Sequence, residues 1–237
     1  MQIEVSGIPV EIVKKDIKTL RLAVLPPDGA VRVSAPRFLS DNSIRRFVQD
    51  RTEWILKQRA RFAALPKPFR RQYISGEPLH VWGREYLLQV VEHIERERSL
   101  VLAEGQALLS LRQGDTLQRR ASFVKEWYRA QLKAEAGKRL PLWESRTGLS
   151  CRSWQTKYMT TRWGTCNPAA GRLWLNLQLA QRPVEYLDYV LLHELAHLRI
   201  PNHGPAFQAI LEQHMPQWRE VRRQLNTFAA SPMLPVE

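Results

Sequence analysis

The sequence predicts an α+β fold: an N-terminal antiparallel β-rich region with one helix, then a small, mainly helical domain with a short sheet. Three observations predict it. Short apolar alternations separated by Gly and Pro turns fill the chain up to about Gly114. From Thr116 onward, apolar residues recur at helical spacing. A single alternating segment, RLWLNLQL from Arg172 to Leu179, interrupts those helices.

The elements follow in order. Ile17 to Leu25 alternates loosely, and Pro26-Pro27-Asp28-Gly29 makes a turn. Val31, Val33 and Ala35 share one face of a second strand, which Pro36 ends. Ser40 or Asp41 caps a helix running to about Arg61, with Ile44, Phe47, Val48, Arg51 and Ile55 on its inner stripe. Its remaining faces carry Arg45, Arg46, Lys57 and Arg59 and read as solvated surface. Leu65 to Arg71 is a stiff Pro-rich connector. Gly76 to Leu111 is β again, with hairpin turns at Trp82-Gly83-Arg84 and Glu104-Gly105-Gln106. An amphipathic helix then spans about Thr116 to Arg139, Pro141 breaks it, and a short helix leads to a C-cap at Gly148. The expected division is residues 1–114, a catalytic domain at 115–226, and a loose tail at 227–237. No internal repeat or low-complexity segment is legible.

Composition narrows the function. At 237 residues and 44% hydrophobic, the chain can bury a core without disulfide staples. Its two cysteines, Cys151 and Cys166, lack Cys-x-x-Cys spacing and read as reduced thiols. No apolar run reaches the length of a membrane helix. The N-terminus MQIEVSGIPVEIV, acidic within its apolar stretch, does not read as a signal peptide. The expected compartment is the cytoplasm. The formal charge of +13 attracts polyanions, although it is spread along helices rather than gathered in a tail.

The chemistry centres on His193-Glu194-Leu195-Ala196-His197. Two histidines four apart on a helix project from one face and can share a metal ion. Glu194 is turned by about 100° from His193, close enough to reach a metal-bound water without ligating the metal. Pro183 suits the first turn, and Val184, Leu187, Leu191 and Leu195 form the core stripe. Ile200-Pro201 ends the helix, and the turn Asn202-His203-Gly204 can return His203 as a third ligand. Three protein ligands plus water is the catalytic pattern for Zn²⁺, which lowers the pKa of its water to about 7. Neutral imidazole is required, so metal occupancy should fall as pH drops through about 6–6.5. His214, on the next helix, reads as a neighbour of the site or an interior residue, and His80 and His93 as ordinary. Arg162 can stabilise a developing oxyanion or form a structural ion pair. The segment Arg172 to Leu179 reads as an edge strand able to align an extended peptide, or simply as a core strand. Trp163 and Trp174 read as core.

The motifs T-R-W-G-T-C, L-N-L-Q-L, Y-V-L-L-H-E-L-A-H-L, N-H-G-P-A-F and M-P-Q-W together resemble the YgjP-like zinc metallopeptidases. The resemblance extends upstream to V-R-V-S-A-P, Trp54-Ile55, Ser75-Gly76-Glu77 and Glu126-Trp127-Tyr128. It implies a zincin-like catalytic domain, His193, His197 and His203 as zinc ligands, and Glu194 as the catalytic carboxylate. Thr160 and Thr165 depart from the family's K-T-R-W-G-S-C, and the lost Lys leaves substrate preference open.

The leading expectation is therefore a zinc-dependent hydrolase, foremost a metallopeptidase acting on peptide or protein. Two alternatives stand beside it. Some members of the family resemble hydrolases of nucleoside triphosphates such as UTP, and a basic field suits that substrate, but no Gly-rich phosphate loop or Mg²⁺ carboxylate cluster is present. The other is a nucleic-acid-associated binding protein that uses the basic surface and whose zinc is structural or vestigial; it can coexist with the first reading as a DNA-recruited protease, and the family's zinc helix is similar to that of SprT-like proteases acting on DNA-bound proteins.

Overall fold

The computed structural model describes residues 1–25, 28–63, 71–95 and 97–228. Pro26-Pro27 of the expected turn, all but the last residue of the Leu65–Arg71 connector, and the tail after Phe228 lie outside the described residues. The chain divides into two compact units, Met1–Pro68 and Phe69–Glu237.

The first unit holds a four-stranded sheet of β1 (Gln2–Val5), β2 (Ile8–Lys15), β3 (Arg21–Leu25) and β4 (Ala30–Pro36) in the order β1-β2-β4-β3. Ser6 and Gly7, both at positive φ, close the first hairpin. Alternation buries Ile3, Val5, Ile8, Val10 and Ile12 on one face beside Val31, Val33 and Ala35. The expected single helix is two, α1 (Asp41–Gln49) and α2 (Thr52–Ala63). Ser40 caps the first, accepting from the Ser43 amide at 3.2 Å. Between them the Arg51 amide bonds Val48 O at 3.0 Å. The Thr52 hydroxyl takes Gln49 O at 2.9 Å. This local competition interrupts the helical ladder, while Ile44, Val48 and Ile55 all reach the core.

The second unit opens with β5 (Pro78–Val81), β6 (Arg84–His93), β7 (Ser99–Ala103) and β8 (Gln106–Arg112), ordered β5-β6-β8-β7. Strand order and polarity repeat those of the first sheet: two outer antiparallel pairs flank one parallel pair, β2/β4 or β6/β8. This is a topological repeat without a legible sequence repeat. Both predicted hairpin turns are present, with Trp82-Gly83 and Glu104-Gly105 at positive φ.

The boundary expected near Gly114 falls inside this unit. Leu79, Leu88, Leu109 and Leu111 share one core with Val124, Tyr128 and Leu132 of the helix that follows, α3 (Leu117–Thr147). The Tyr128 hydroxyl donates to His80 O at 2.7 Å. The Trp82 amide donates to Ala180 O at 2.9 Å. A Cβ on Gly83 would lie 2.7 Å from the Pro183 ring. The change in hydrophobic period at Gly114 marks a change of element, not of core.

Helix α3 runs unbroken past Pro141 to the left-handed C-cap Gly148. A buried stripe of Val124, Tyr128, Leu132, Ala136, Leu140 and Trp143 continues through the proline, and this packing outweighs one lost backbone bond. Beyond it, β9 (Ser153–Lys157), β10 (Gly164–Asn167) and β11 (Arg172–Asn176) form a sheet ordered β10-β11-β9. The strand expected to reach Leu179 ends at Asn176, and Leu177–Gln181 is a 3-10 helix buried throughout. Strand β11 is central in this sheet, not an edge. Helices α4 (Val184–His197), α5 (Pro205–His214) and α6 (Trp218–Thr227) complete the unit. On α4, Asp188 accepts from Arg139 at 2.6 Å and from the Trp143 indole at 2.8 Å, which ties α4 to α3. No helix among the described residues is long and apolar enough to cross a membrane.

Candidate metal centre

Helix α4 is buried nearly all round, by Tyr186, Leu187, Val190, Leu191, Leu192, Leu195 and Ala196 among others. His193 and His197 lie one turn apart at its C-terminal end. The chain then turns at Pro201, and Gly204 starts α5. His203, on that turn, comes back over the helix end. The three Nε2 atoms are 3.2 Å (His193–His197), 3.1 Å (His197–His203) and 3.2 Å (His193–His203) apart.

These contacts fit a shared cation. Ligand nitrogens about 2.0–2.1 Å from one tetrahedral ion lie roughly 3.3 Å from each other. Three mutually facing nitrogens cannot all be satisfied by hydrogen bonds among themselves. Two of the outer nitrogens have partners: His197 Nδ1 lies 3.0 Å from Ile200 O, and His193 Nδ1 lies 3.3 Å from the Tyr189 hydroxyl. Such outer partners fix ring orientation and turn Nε2 inward. Burial, and then the other imidazoles, push His193 down to about 3, and the same causes lower His203. Both therefore present lone pairs at neutral pH. Among the described residues, these three are the one group of His, Cys, Asp or Glu side chains that could hold a metal ion. The Phe207 ring packs on all three imidazoles at centroid distances of 5.0, 4.7 and 4.8 Å.

Glu194 faces the opposite wall. It is buried, and burial pushes its carboxyl up to about 8, with Arg162 opposing the shift. Strand β10 passes directly over it, so that a Cβ on Gly164 would sit 2.7 Å from Glu194 Oε1 and 2.9 Å from Val190 Cγ1. Arg162 precedes β10 on an exposed loop, and its charge reaches the Glu194 carboxyl. Asn176 holds that loop: its amide donates to Met159 O at 2.8 Å and to Arg162 O at 2.7 Å, and its Oδ1 accepts from the Met159 amide at 3.3 Å.

The cleft has a volume of about 620 Å³ and brings Arg162, Trp163, Gly164, Cys166 and Tyr189 together with the three histidines and Glu194. Arg222 and Asn226 also line it, from α6. These two escaped sequence reading because the M-P-Q-W motif reaches only Trp218, the first residue of α6. Cys166 is a free thiol on the wall, pushed up to about 11 by burial and then by Glu194. His214 is not part of the lining, and Trp174 lies outside it beneath Lys157, at 4.7 Å. His80 sits in the β5–β6 hairpin, 3.2 Å from Glu85.

Comparison with known proteins bears on this arrangement. No curated protein matches the chain. The crystal structure of the metallopeptidase zymogen of Pyrococcus abyssi abylysin is similar at 19% identity and a TM-score of 0.38, covering 42% of this chain and 99% of that one. Residues 18–228 match the family described as YgjP-like, metallopeptidase domain. That span is most of the chain, which therefore belongs to the YgjP-like metallopeptidases.

Proposed function

We propose that the chain is a zinc-dependent peptidase in which His193, His197 and His203 hold the ion, Glu194 is the catalytic carboxylate and Arg162 stabilises the oxyanion. The carrying observation is the convergence of three Nε2 atoms within 3.1–3.2 Å, on the helix that also presents Glu194. Zinc, when bound there, supplies Lewis-acid polarisation of the scissile carbonyl and eases deprotonation of water. In its ionised form, which Arg162 and a cation at the histidines would favour against burial, Glu194 accepts the proton of the attacking water and delivers it to the departing nitrogen. Its buried seat under β10 keeps bulk water from competing for that proton. The Arg162 guanidinium faces the negative charge that develops on the carbonyl oxygen.

The outer edge of β10 aligns the substrate. Strand β10 pairs with β11 on one side, and among the described residues nothing pairs with the other. An extended peptide laid along it would place a peptide bond beside Glu194. This role passes to β10 from the segment Arg172 to Leu179, whose strand part, Arg172–Asn176, is central in the sheet.

The test is hydrolysis by zinc-loaded protein of unfolded protein, peptides and nucleoside triphosphates, with Glu194→Gln alongside. Peptide cleavage should fall about 10²–10⁴-fold in the variant while zinc content stays unchanged. Loss of zinc from the variant would assign Glu194 a structural role. Cleavage of triphosphates alone would replace the peptidase reading with a phosphohydrolase.

A further inference from the structure

The cleft has a sign. A neighbouring depression of about 450 Å³ shares Thr161, Arg162 and Thr165 with it and extends along the β9–β10 loop to Lys157. Across both linings the cations are Lys157, Arg162 and Arg222, and the sole carboxylate is the buried Glu194. None of the three cations forms an ion pair among the described residues. The contrast on α6 is informative. Arg219 pairs with Glu212 at 2.5 Å and Arg223 with Glu220 at 2.5 Å, whereas Arg222 between them faces the cleft without a carboxylate. Its charge reaches His193, His203 and Tyr189.

We propose that the groove takes acidic peptide segments. Arg222 receives a substrate carboxylate on the α6 side of the scissile bond, and Lys157 receives one on the β9–β10 loop side. The inference deepens the peptidase reading and rests on it for the position of the scissile bond. A substrate with carboxylates on both flanks would complement this charge, and a basic one would meet like charge on both sides. The overall +13 adds long-range steering of the same sign.

The experiment separates binding from turnover. Fluorescent peptides matched in length, with Glu, Gln or Lys on both flanks, are titrated into zinc-loaded Glu194→Gln protein and followed by anisotropy. The Glu peptide should bind on the order of tenfold more tightly than the Gln peptide, and the Lys peptide most weakly. The difference should shrink as salt is raised. Arg222→Glu and, separately, Lys157→Glu should each reduce the Glu-over-Lys ratio by about tenfold, and both sites are exposed enough that either variant keeps the fold. Equal binding of the three peptides, or a preference untouched by both reversals, would overturn the proposal. So would a nucleoside triphosphate that displaces the Glu peptide at lower concentration than the peptide itself and is hydrolysed by the wild type. If the Glu peptide binds preferentially yet wild-type protein cleaves none of the peptides, the charge preference stands and the peptidase reading falls.

Discussion

Gly164 on β10 and Glu194 on α4 approach so closely that a methyl group on the glycine would lie 2.7 Å from the carboxylate oxygen. The glycine is needed for space, not for an unusual backbone angle, since its φ is not positive. Gly164→Ala must therefore push β10 away from α4 or displace Glu194. Turnover should fall at least about tenfold, with a stability loss of about 1–3 kcal/mol from overpacking. Peptidase assays paired with thermal melts check this. Unchanged activity with lowered stability would show that Glu194 adapts and that the close approach serves packing alone.

Asn176 uses both amide donors and its oxygen to hold the loop that carries Arg162. Its side chain is buried, and Gln178 Nε2 also donates to Met159 O at 2.9 Å. Asn176→Asp keeps the shape but turns both donors into acceptors facing the carbonyls of Met159 and Arg162. A loss of about 2–4 kcal/mol in stability is expected, together with reduced turnover from a misplaced Arg162. Asn176→Ala should cost less than Asn176→Asp, because it removes bonds without adding repulsion. The reverse order in denaturant unfolding would show that side-chain volume, rather than hydrogen bonding, holds the loop.

What could be read from the chain alone follows from how local each feature is. His193, Glu194 and His197 lie within one helical turn, so periodicity alone places them together. His203 was reachable because Pro201 must end the helix and the loop is too short to carry the chain away. Arg222 and Asn226 reach the cleft through the packing of α6, which no spacing reports. Gly164 shows its role only when another element presses against it. Pro141 does not end α3, because helix propensity is local while the stripe from Val124 to Trp143 is stabilised by the core it faces. The β1–β2 hairpin follows the alternation of Ile3, Val5, Ile8, Val10 and Ile12 about the turn Ser6-Gly7. The shared topology of the two sheets is written in which faces are apolar, not in residue identity, and so left no repeat to find.

Metal removal tests the three imidazoles as a unit. A chelator should abolish peptide cleavage and lower the melting temperature by about 5–10 °C, since an ion that binds only the folded state stabilises it by mass action. Added Zn²⁺ should restore both. His203 is the exposed member of the trio, held by a turn rather than by the buried helix. His203→Ala should therefore lower zinc affinity while leaving the melting temperature of the metal-free protein close to wild type. A large drop in the metal-free protein would mean that His203 supports the fold rather than the ion.

Asp115, between β8 and α3, gives the fold a pH dependence away from the cleft. Its buried carboxylate accepts from Arg98 at 2.6 and 2.7 Å and from the Arg112 amide at 3.1 Å. The Arg98 hydrogen bonds hold its carboxyl at about 2, below the ordinary 3.8. The folded state therefore binds this proton more weakly than the unfolded chain. The resulting stabilisation is complete above about pH 4 and is lost as pH falls toward 2. Asp115→Asn should cost about 1–3 kcal/mol at pH 7. The gap between variant and wild type should close between pH 4 and 2, because the protonated carboxyl has lost the same interaction. Denaturant unfolding at pH 7, 4 and 2.5 measures it, and a gap independent of pH would show that Asp115 acts by shape and not by charge.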